Sequence, residues 1–435
     1  MKSKLFAVLI ILVLSGSSLL SQDLQSFFDE ENNTVNGGLG ITWIDGNPFT
    51  TFTIAPEFSF GKFGIGLFIQ LLFDNTNSFQ FRTAGWEGKG GFLRMINYIR
   101  YGFKGDPFYT RIGTLQGTWL GNGFMMGFYS NGVDYDNRYI GLILDADFGW
   151  VGFETMTNRL RVLDIIGGRL YVRPLYESGI PVLRNLELGG TYITDVDPDG
   201  LDDTDDRMQE WGADITLPII RKEIFDLGIY GDYAKIVNYG DGMAVGIRMG
   251  FPNVIGIFGI YAKLEKRWTN DQFLANYFNA LYELERRPLN STYYYPDMTP
   301  VEVWTKQDYL KTVKGNSGIY GELAGHILGQ LRLSGNFQYT DGIRNSGILH
   351  LEALTKELIP SFRFRYTYDK VGIETFNDVI TLDNRSVAVA EVMYKTYQFV
   401  YITLRYRWNF IYDANAGEYK PQERFEPSVS FIMDF

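Results

Sequence analysis

Apolar and polar residues alternate along most of this chain. In "LRLSGNFQYT", Leu331, Leu333, Gly335, Phe337 and Tyr339 share one parity, and Arg332, Ser334, Asn336, Gln338 and Thr340 the other. "FRFRYTYD" sets Phe362, Phe364, Tyr366 and Tyr368 against Arg363, Arg365, Thr367 and Asp369. "YITLRYRWNFIY" sets Ile402, Leu404, Tyr406, Trp408 and Phe410 against Thr403, Arg405, Arg407 and Asn409. Period two is that of a β-strand, whose successive side chains point to opposite faces. Similar segments recur from 35–45 to 425–435, about twenty in all, with a range of roughly 18–22.

Soluble sandwiches and propellers alternate too, so strand length and loop length decide. Many segments run about ten residues or more, where soluble strands average about five or six and a tilted membrane strand needs about 9–11. Aromatics gather toward strand ends, as at Tyr366 and Tyr368 or Trp408 to Tyr412, where interfacial girdles lie. Tight connections mostly alternate with long ones, as periplasmic turns alternate with external loops. An even strand count puts 74–91, 116–137, 195–208, 268–314 and 370–386 outside the cell. The expected fold is all-β, a transmembrane antiparallel β-barrel of about twenty strands (~18–22), closed because an open edge in lipid strands its backbone groups. One external loop carries a helical insertion.

The ends define the compartment. Lys2 and Lys4 precede an apolar run from Leu5 to Leu14 and the small polar stretch "SGSSLLSQ", the order of a secretory signal and too short to span a bilayer stably. The expected organisation is a signal peptide over 1–21, a periplasmic N-terminal segment over 22–34 and a barrel over 35–435 with the insertion at 268–314. The absence of cysteine excludes disulfides, thiolate metal sites and a lipidated N-terminal cysteine. A net charge of −11 argues against a nucleic-acid binder. The aromatic fraction of 16% is high and suits strands and water–lipid boundaries.

The chain ends on "PSVSFIMDF", where Val429, Phe431, Met433 and Phe435 share the apolar parity. This strand resembles the assembly signal of bacterial outer-membrane β-barrel proteins, in which a terminal aromatic closes an alternating apolar series. It lacks the usual upstream Gly and has Ile432 at a nominally polar position. At the level of architecture the whole mature chain resembles porin-like outer-membrane proteins of Gram-negative bacteria. The resemblance implies outer-membrane lipid and the barrel assembly machinery as partners, small hydrophilic solutes as cargo, and compatibility with a homo-oligomer, for which no apolar patch marks an interface.

About twenty strands enclose a backbone diameter near 40 Å, more than side chains fill. The inward parity names Arg94, Arg100, Arg332, Arg363, Arg365, Arg405, Arg407, Glu322 and Glu352 as pore-lining residues, with Arg363, Arg365, Arg405 and Arg407 as an anion-attracting patch; cross-strand ion pairing is the plainer role for many of them. In the insertion, Phe273, Leu274, Tyr277, Phe278, Leu281 and Tyr282 form a stripe at helical spacing, and a second helix is expected from a Thr299 cap with Pro300 and Glu302. These helices either constrict the lumen or roof the rim.

"DVDPDGLDDTDD" resembles the calcium loop of EF-hand sites, with Asp195, Asp197, Asp199, Leu201, Asp203 and Asp206 in ligand positions. It departs in having Asp at the twelfth position and strands for flanks, and it competes with a plain solvated acidic loop. The Gly- and aromatic-rich segment 116–131 is read either as a solute-contacting loop folded into the pore or as a structural lid. With only His326 and His350 and no nucleophile motif in a triad context, an enzyme is not expected. The expected function is a porin-like channel for passive or substrate-selective diffusion of small hydrophilic solutes; the alternative is a non-conducting barrel serving as surface receptor, adhesin or secretion-system component.

Overall fold

The structure, a computed structural model, describes residues 33–434 apart from 45–46, 77, 84–85, 87–90, 133–138, 200–205, 223, 255–256, 287–304, 357, 384–385 and 414–417. The expected signal peptide lies outside the described residues, as do Phe435 and the Thr299 cap. The wall begins with β1 (Thr34–Ile44), β2 (Asn47–Phe60), β3 (Phe63–Leu67), β4 (Ile69–Asp74), the two-residue β5 (Gln80–Phe81), β6 (Ile96–Tyr101) and β7 (Phe108–Gly113). It continues through β8 (Gly141–Asp147), β9 (Val151–Thr157), β10 (Ile165–Val172), β11 (Glu187–Asp195), β12 (Met208–Lys222), β13 (Phe225–Ile236), β14 (Asp241–Val254) and β15 (Phe258–Thr269). It finishes with β16 (Ser317–Ile327), β17 (Leu331–Thr340), β18 (Gly347–Thr355), β19 (Phe362–Ile373), β20 (Ser386–Tyr397), β21 (Val400–Asp413) and β22 (Glu418–Asp434).

All neighbours are antiparallel and the ring shuts between β1 and β22. β2 pairs with both β3 and β4, which form one stave interrupted at Phe68, and β5 is a stub on β4, so the closed wall has 20 staves. Closure leaves no unpaired edge to face lipid. The seam depends on small residues: Gly37, Gly38 and Gly40 of β1 lie against Phe431, Ser430 and Ser428. The Phe431 ring covers Gly37, where a Cβ would come within 2.5 Å of it and within 2.7 Å of the Thr53 carbonyl oxygen. Val429 and Met433 flank it on the outer surface. Three of the four residues of the terminal apolar series are thus described, and all three lie in the seam.

Two expectations need correction. Arg94, expected to line the pore from an alternating strand, lies instead in a 3₁₀ helix, Gly91–Met95, off the ladder, with its guanidinium 5.1 Å from the Trp86 ring centre. The stripe from Phe273 to Tyr282 is far less helical than its spacing predicts. Among the described residues of the insertion the helices are Tyr282–Glu285 and Lys306–Thr312, the latter capped by Thr305, which accepts from the Asp308 N–H. Gln272 and Asn276 adopt left-handed backbone (φ 61° and 57°), which stops the stripe from coiling.

Candidate functional site

The loop from 114 to 132 leaves the wall after β7 and turns into the barrel. Its own backbone makes a narrow hairpin-like fold, with Thr118 and Tyr129 exchanging hydrogen bonds of 2.8 and 3.1 Å, tightened by Gly121 and Gly123 at positive φ. The first part of the insertion lies on it: the Asn276 N–H donates to Phe124 O at 2.6 Å, the Phe278 N–H to Met125 O at 3.2 Å, and the Gly127 N–H to Asn276 Oδ1 at 2.7 Å. Leu120, Phe124, Met126, Tyr129, Phe273, Tyr277, Phe278 and Tyr282 are buried together against inward side chains of the wall, among them Ile143, Met156, Ile165, Ile193 and Ile236. Each fully buried apolar side chain contributes about 1.5–3 kcal/mol relative to exposure. Packing, more than the loops' own backbone, therefore holds this plug in place.

An ionic latch fastens it. The Arg286 guanidinium lies 3.1 Å from Asp195 at the end of β11, 3.4 Å from Glu283 and 3.8 Å from Asp164, and donates to Asp197 O at 2.7 Å. Tyr282 donates its hydroxyl to Asp195 at 2.9 Å, while Glu283 accepts from Asn158 at 3.0 Å and from the Tyr129 hydroxyl. Lys306 pairs with Glu285, and burial holds its ammonium below the ordinary lysine range against the opposing pull of that carboxylate.

Beneath the plug the wall is ionic and tightly paired. Arg169 of β10 reaches Asp214 at 2.6 Å, Glu187 at 2.7 Å and Glu154 at 3.6 Å, with its side chain only 3% exposed. Arg173 pairs with Asp147 at 2.8 Å and Glu187 at 3.0 Å, and Lys104 with Asp145 at 2.7 Å. Lys263 joins Glu265 at 2.8 Å and Glu322 at 3.3 Å. The loop tip closes over these groups: the Gly121 N–H donates to Glu154 at 2.8 Å, and Asn122 donates to Asp232 and Thr216 at 3.2 Å each. A cavity of about 80 Å³ remains there, bordered by Arg173, Arg221 and Arg248 among others.

The opposite wall is different. Arg365 of β19, Arg405 and Arg407 of β21 and Glu426 of β22 lie in adjoining register on the inward face. The Arg365 side chain is 53% exposed and those of Arg405 and Arg407 are 33%. Their ion pairs are more open to solvent: Arg365 is 3.8 Å from Glu352, Arg407 is 3.3 Å from Glu426, and Arg405 pairs with Glu391 and lies 3.7 Å from Glu426. Arg363 stands 5.3 Å from the Tyr401 ring centre. Arg424 pairs with Arg407 across the ladder and extends the patch by one guanidinium that the sequence reading missed, although its parity with Glu426 was visible.

The remaining expected residues divide between the two walls. Arg100 is buried, donating to Gly102 O at 3.1 Å and Ser59 at 3.3 Å. Glu322 belongs to the closed side through Lys263, and Arg332 stands opposite His326 on half-buried wall. Of the acidic loop, Asp197, Asp199 and Asp206 come together, with one carboxylate oxygen of each within 4.8 Å of the others. Asp195 turns away to the latch, and Leu201 and Asp203 lie outside the described residues. Burial, then the nearby Asp199 and Asp197 charges, raise the Asp206 carboxyl above its ordinary range.

Outward, the strands present Leu264, Leu323, Leu333, Ile402 and Val429 to their surroundings. A closed wall that is apolar outside and charged within is suited to lipid around it and water inside. The chain is an integral outer-membrane β-barrel. No protein-family model and no curated protein matches it. Solved barrels resemble it loosely. Wzi of Escherichia coli, an outer-membrane carbohydrate-binding barrel involved in group 1 capsule assembly, is 11% identical with a TM-score of 0.35, covering 93% of this chain and 85% of its own. A BenF-like porin of Pseudomonas fluorescens Pf-5 is 10% identical with a TM-score of 0.33, covering 92% and 97%. CdiB of Acinetobacter baumannii is 9% identical with a TM-score of 0.29, and this chain, 93% covered, spans 60% of it. Scores at this level carry no functional information.

Proposed function

We propose that the barrel is a passive channel for small hydrophilic solutes, with a preference for anions, whose bore is narrowed to one side by the plug. The observation that carries this reading is the hydration of inward arginines: Arg365, Arg405 and Arg407 face the lumen yet remain a third to a half exposed. Guanidiniums of Arg363, Arg365, Arg405, Arg407 and Arg424 share this patch with Glu352, Glu391 and Glu426, which favours negatively charged solutes in a water-filled passage. The test is single-channel conductance in planar bilayers with salt-gradient reversal potentials, before and after replacing 271–314 by a short linker that spares β15 and β16. Ohmic steps that enlarge on deletion, with anion-selective reversal, support the channel. Absence of current from the folded barrel in both forms would sink it.

A second reading draws on the plug itself, since loops filling one side of a lumen also suit a non-conducting surface receptor, adhesin or secretion-system component. The same silent bilayer is its signature. The calcium expectation, without Asp195, belongs here as a proposal carried by Asp197, Asp199 and Asp206: Asp206 Oδ1 is buried without a hydrogen-bond donor, as a carboxylate set aside for a cation would be. A hard cation there would stiffen the 196–207 loop. Calcium titration followed by hydrogen exchange of that loop, compared with Asp206→Asn, tests it; equal exchange with and without calcium removes the proposal. Assembly machinery as a partner and self-association stay within the same proposed setting.

A further inference from the structure

The external loop after β19 does not stand up from the rim. It folds back down the outside of the wall. His350 and Asp369 face the lumen, since the His350 ring lies 5.5 Å from that of Phe128 in the plug and its Nδ1 is 2.7 Å from Asp369 Oδ1. Their strand neighbours Tyr368 and Lys370 must therefore face outward. Neither is bare. Lys370 is 0% exposed and donates to Thr381 O at 2.9 Å, Asp383 Oδ1 at 2.7 Å and Ser386 Oγ at 3.0 Å. The Tyr368 hydroxyl donates to Val379 O at 2.7 Å.

These contacts fix the depth of the loop. Tyr368 precedes the end of β19 at Ile373 by a span worth about 13 Å along the membrane normal, at ~3.3 Å per residue and a tilt of ~40°. The short helix Phe376–Ile380, begun by a capping box between Thr375 and Asp378, sits at that level. The carboxylates of the loop are taken up by hydrogen bonds and an ion pair: Asp378 accepts in the cap, Glu374 accepts from the Asn345 N–H at 2.7 Å, and Asp383 pairs with Lys370. Glu374, Thr375, Asn377 and Thr381 are exposed as well, and among them three apolar side chains stand clear of the barrel: Phe376 is 76% exposed, Ile380 67% and Leu382 40%. Phe376 and Ile380, four apart, share one side of the helix. Below Tyr368 on the outer wall come Tyr366, then Val392 opposite Phe364 and Tyr394 opposite Phe362, all exposed, so the loop's apolar side chains stand at the upper end of the lipid-facing band of β19 and β20.

We propose that 374–382 is a membrane anchor: Phe376, Ile380 and Leu382 enter the lipid interface of the outer leaflet while the loop's inner side shields the Lys370 ammonium on the outer wall. A second copy of the chain or another protein would be the occupant only if that continuity were broken. The absence of native cysteine makes single-site labelling unambiguous. Phe376→Cys and Ile380→Cys, each nitroxide-labelled and reconstituted in phosphatidylethanolamine–phosphatidylglycerol vesicles, are compared with Asn238→Cys in the exposed β13–β14 turn by collision with oxygen and with an aqueous nickel chelate. Oxygen collisions should dominate at 376 and 380, and nickel collisions at 238. Nickel dominance at 376 and 380 would place the loop in water. Low collision with both reagents would mean a protein cover. Either outcome overturns the anchor. Folding of each variant is checked by heat-modifiable gel mobility, and Leu382→Cys gives the same readout if one of the others fails to fold.

Discussion

The two sides of the lumen use the same residue types to different ends. Around Arg169, carboxylates from three other strands close on one guanidinium and the loop tip excludes water. Around Arg365, a single carboxylate stands 3.8 Å away and solvent reaches both partners. An arginine's place in the parity pattern is identical in the two cases. What separates them is whether a loop covers it, because burial removes the screening that makes an exposed pair weak. The closed side is therefore a structural element made of charges, and the open side is a surface made of the same charges.

The same substitution made on both sides should have unequal costs. Arg169→Met leaves Asp214, Glu187 and Glu154 without their shared cation, and should cost about 3–5 kcal/mol. Arg365→Met should cost about 1 kcal/mol or less. Denaturant unfolding in detergent, followed by tyrosine and tryptophan emission, reads both; equal losses would end the distinction. Arg286→Leu should carry a loss similar to that of Arg169→Met, about 3–5 kcal/mol, but lodged in the plug, since Asp195 and Glu283 stay buried without it. Faster proteolysis within 271–286 and larger conductance steps are expected from a barrel that still shows heat-modifiable mobility.

Gly37→Val tests the wall without touching either charge set. Its Cβ meets the Phe431 ring and a backbone oxygen, so a loss of about 1–3 kcal/mol from overpacking is expected, seen as a lower temperature for the gel-mobility shift with channel selectivity unchanged. The smallest energetic effect belongs to the double substitution Arg365→Ser, Arg407→Ser. It should leave stability within roughly 1 kcal/mol and move the reversal potential toward cation preference. An unmoved potential would remove the anion patch from the account.

Much of the wall was legible because a period of two leaves little choice of face once one side meets lipid. Strand order alone assigns Arg363, Arg365, Arg405 and Arg407 to one neighbourhood; in the register Arg365 and Arg405 lie level across Glu391, with Arg363 and Arg407 two residues to either side. The insertion shows the limit of such reasoning. Phe273, Tyr277, Phe278 and Tyr282 are all buried, as their common stripe implied, yet the chain before Tyr282 is not a helix: Asn276 and Phe278 give their N–H groups to the 114–132 loop in place of a helical turn. Periodicity reports which side chains want a common surface, and it does not report which backbone will satisfy the N–H groups. Asp195 failed for a related reason. Its spacing fits a calcium loop, but Arg286, remote in sequence, claims it, and no local pattern could have named that partner. Arg94 was lost to a 3₁₀ turn whose glycine offered the only warning.

The seam between β1 and β22 has a consequence for the order of events in assembly. A sheet that has not yet joined its two edges has no interior, so the plug's aromatic residues have nowhere to hide until those strands meet. The two plug segments lie far apart in the chain and far from both edges, and can pair with each other early. Where they do so, the ring draws shut around an object already formed, like a hoop around a bundle. Shape is then fixed last at the seam glycines, which let β1 and β22 lie close, and an open-ringed chain exposes its apolar surface to its neighbours.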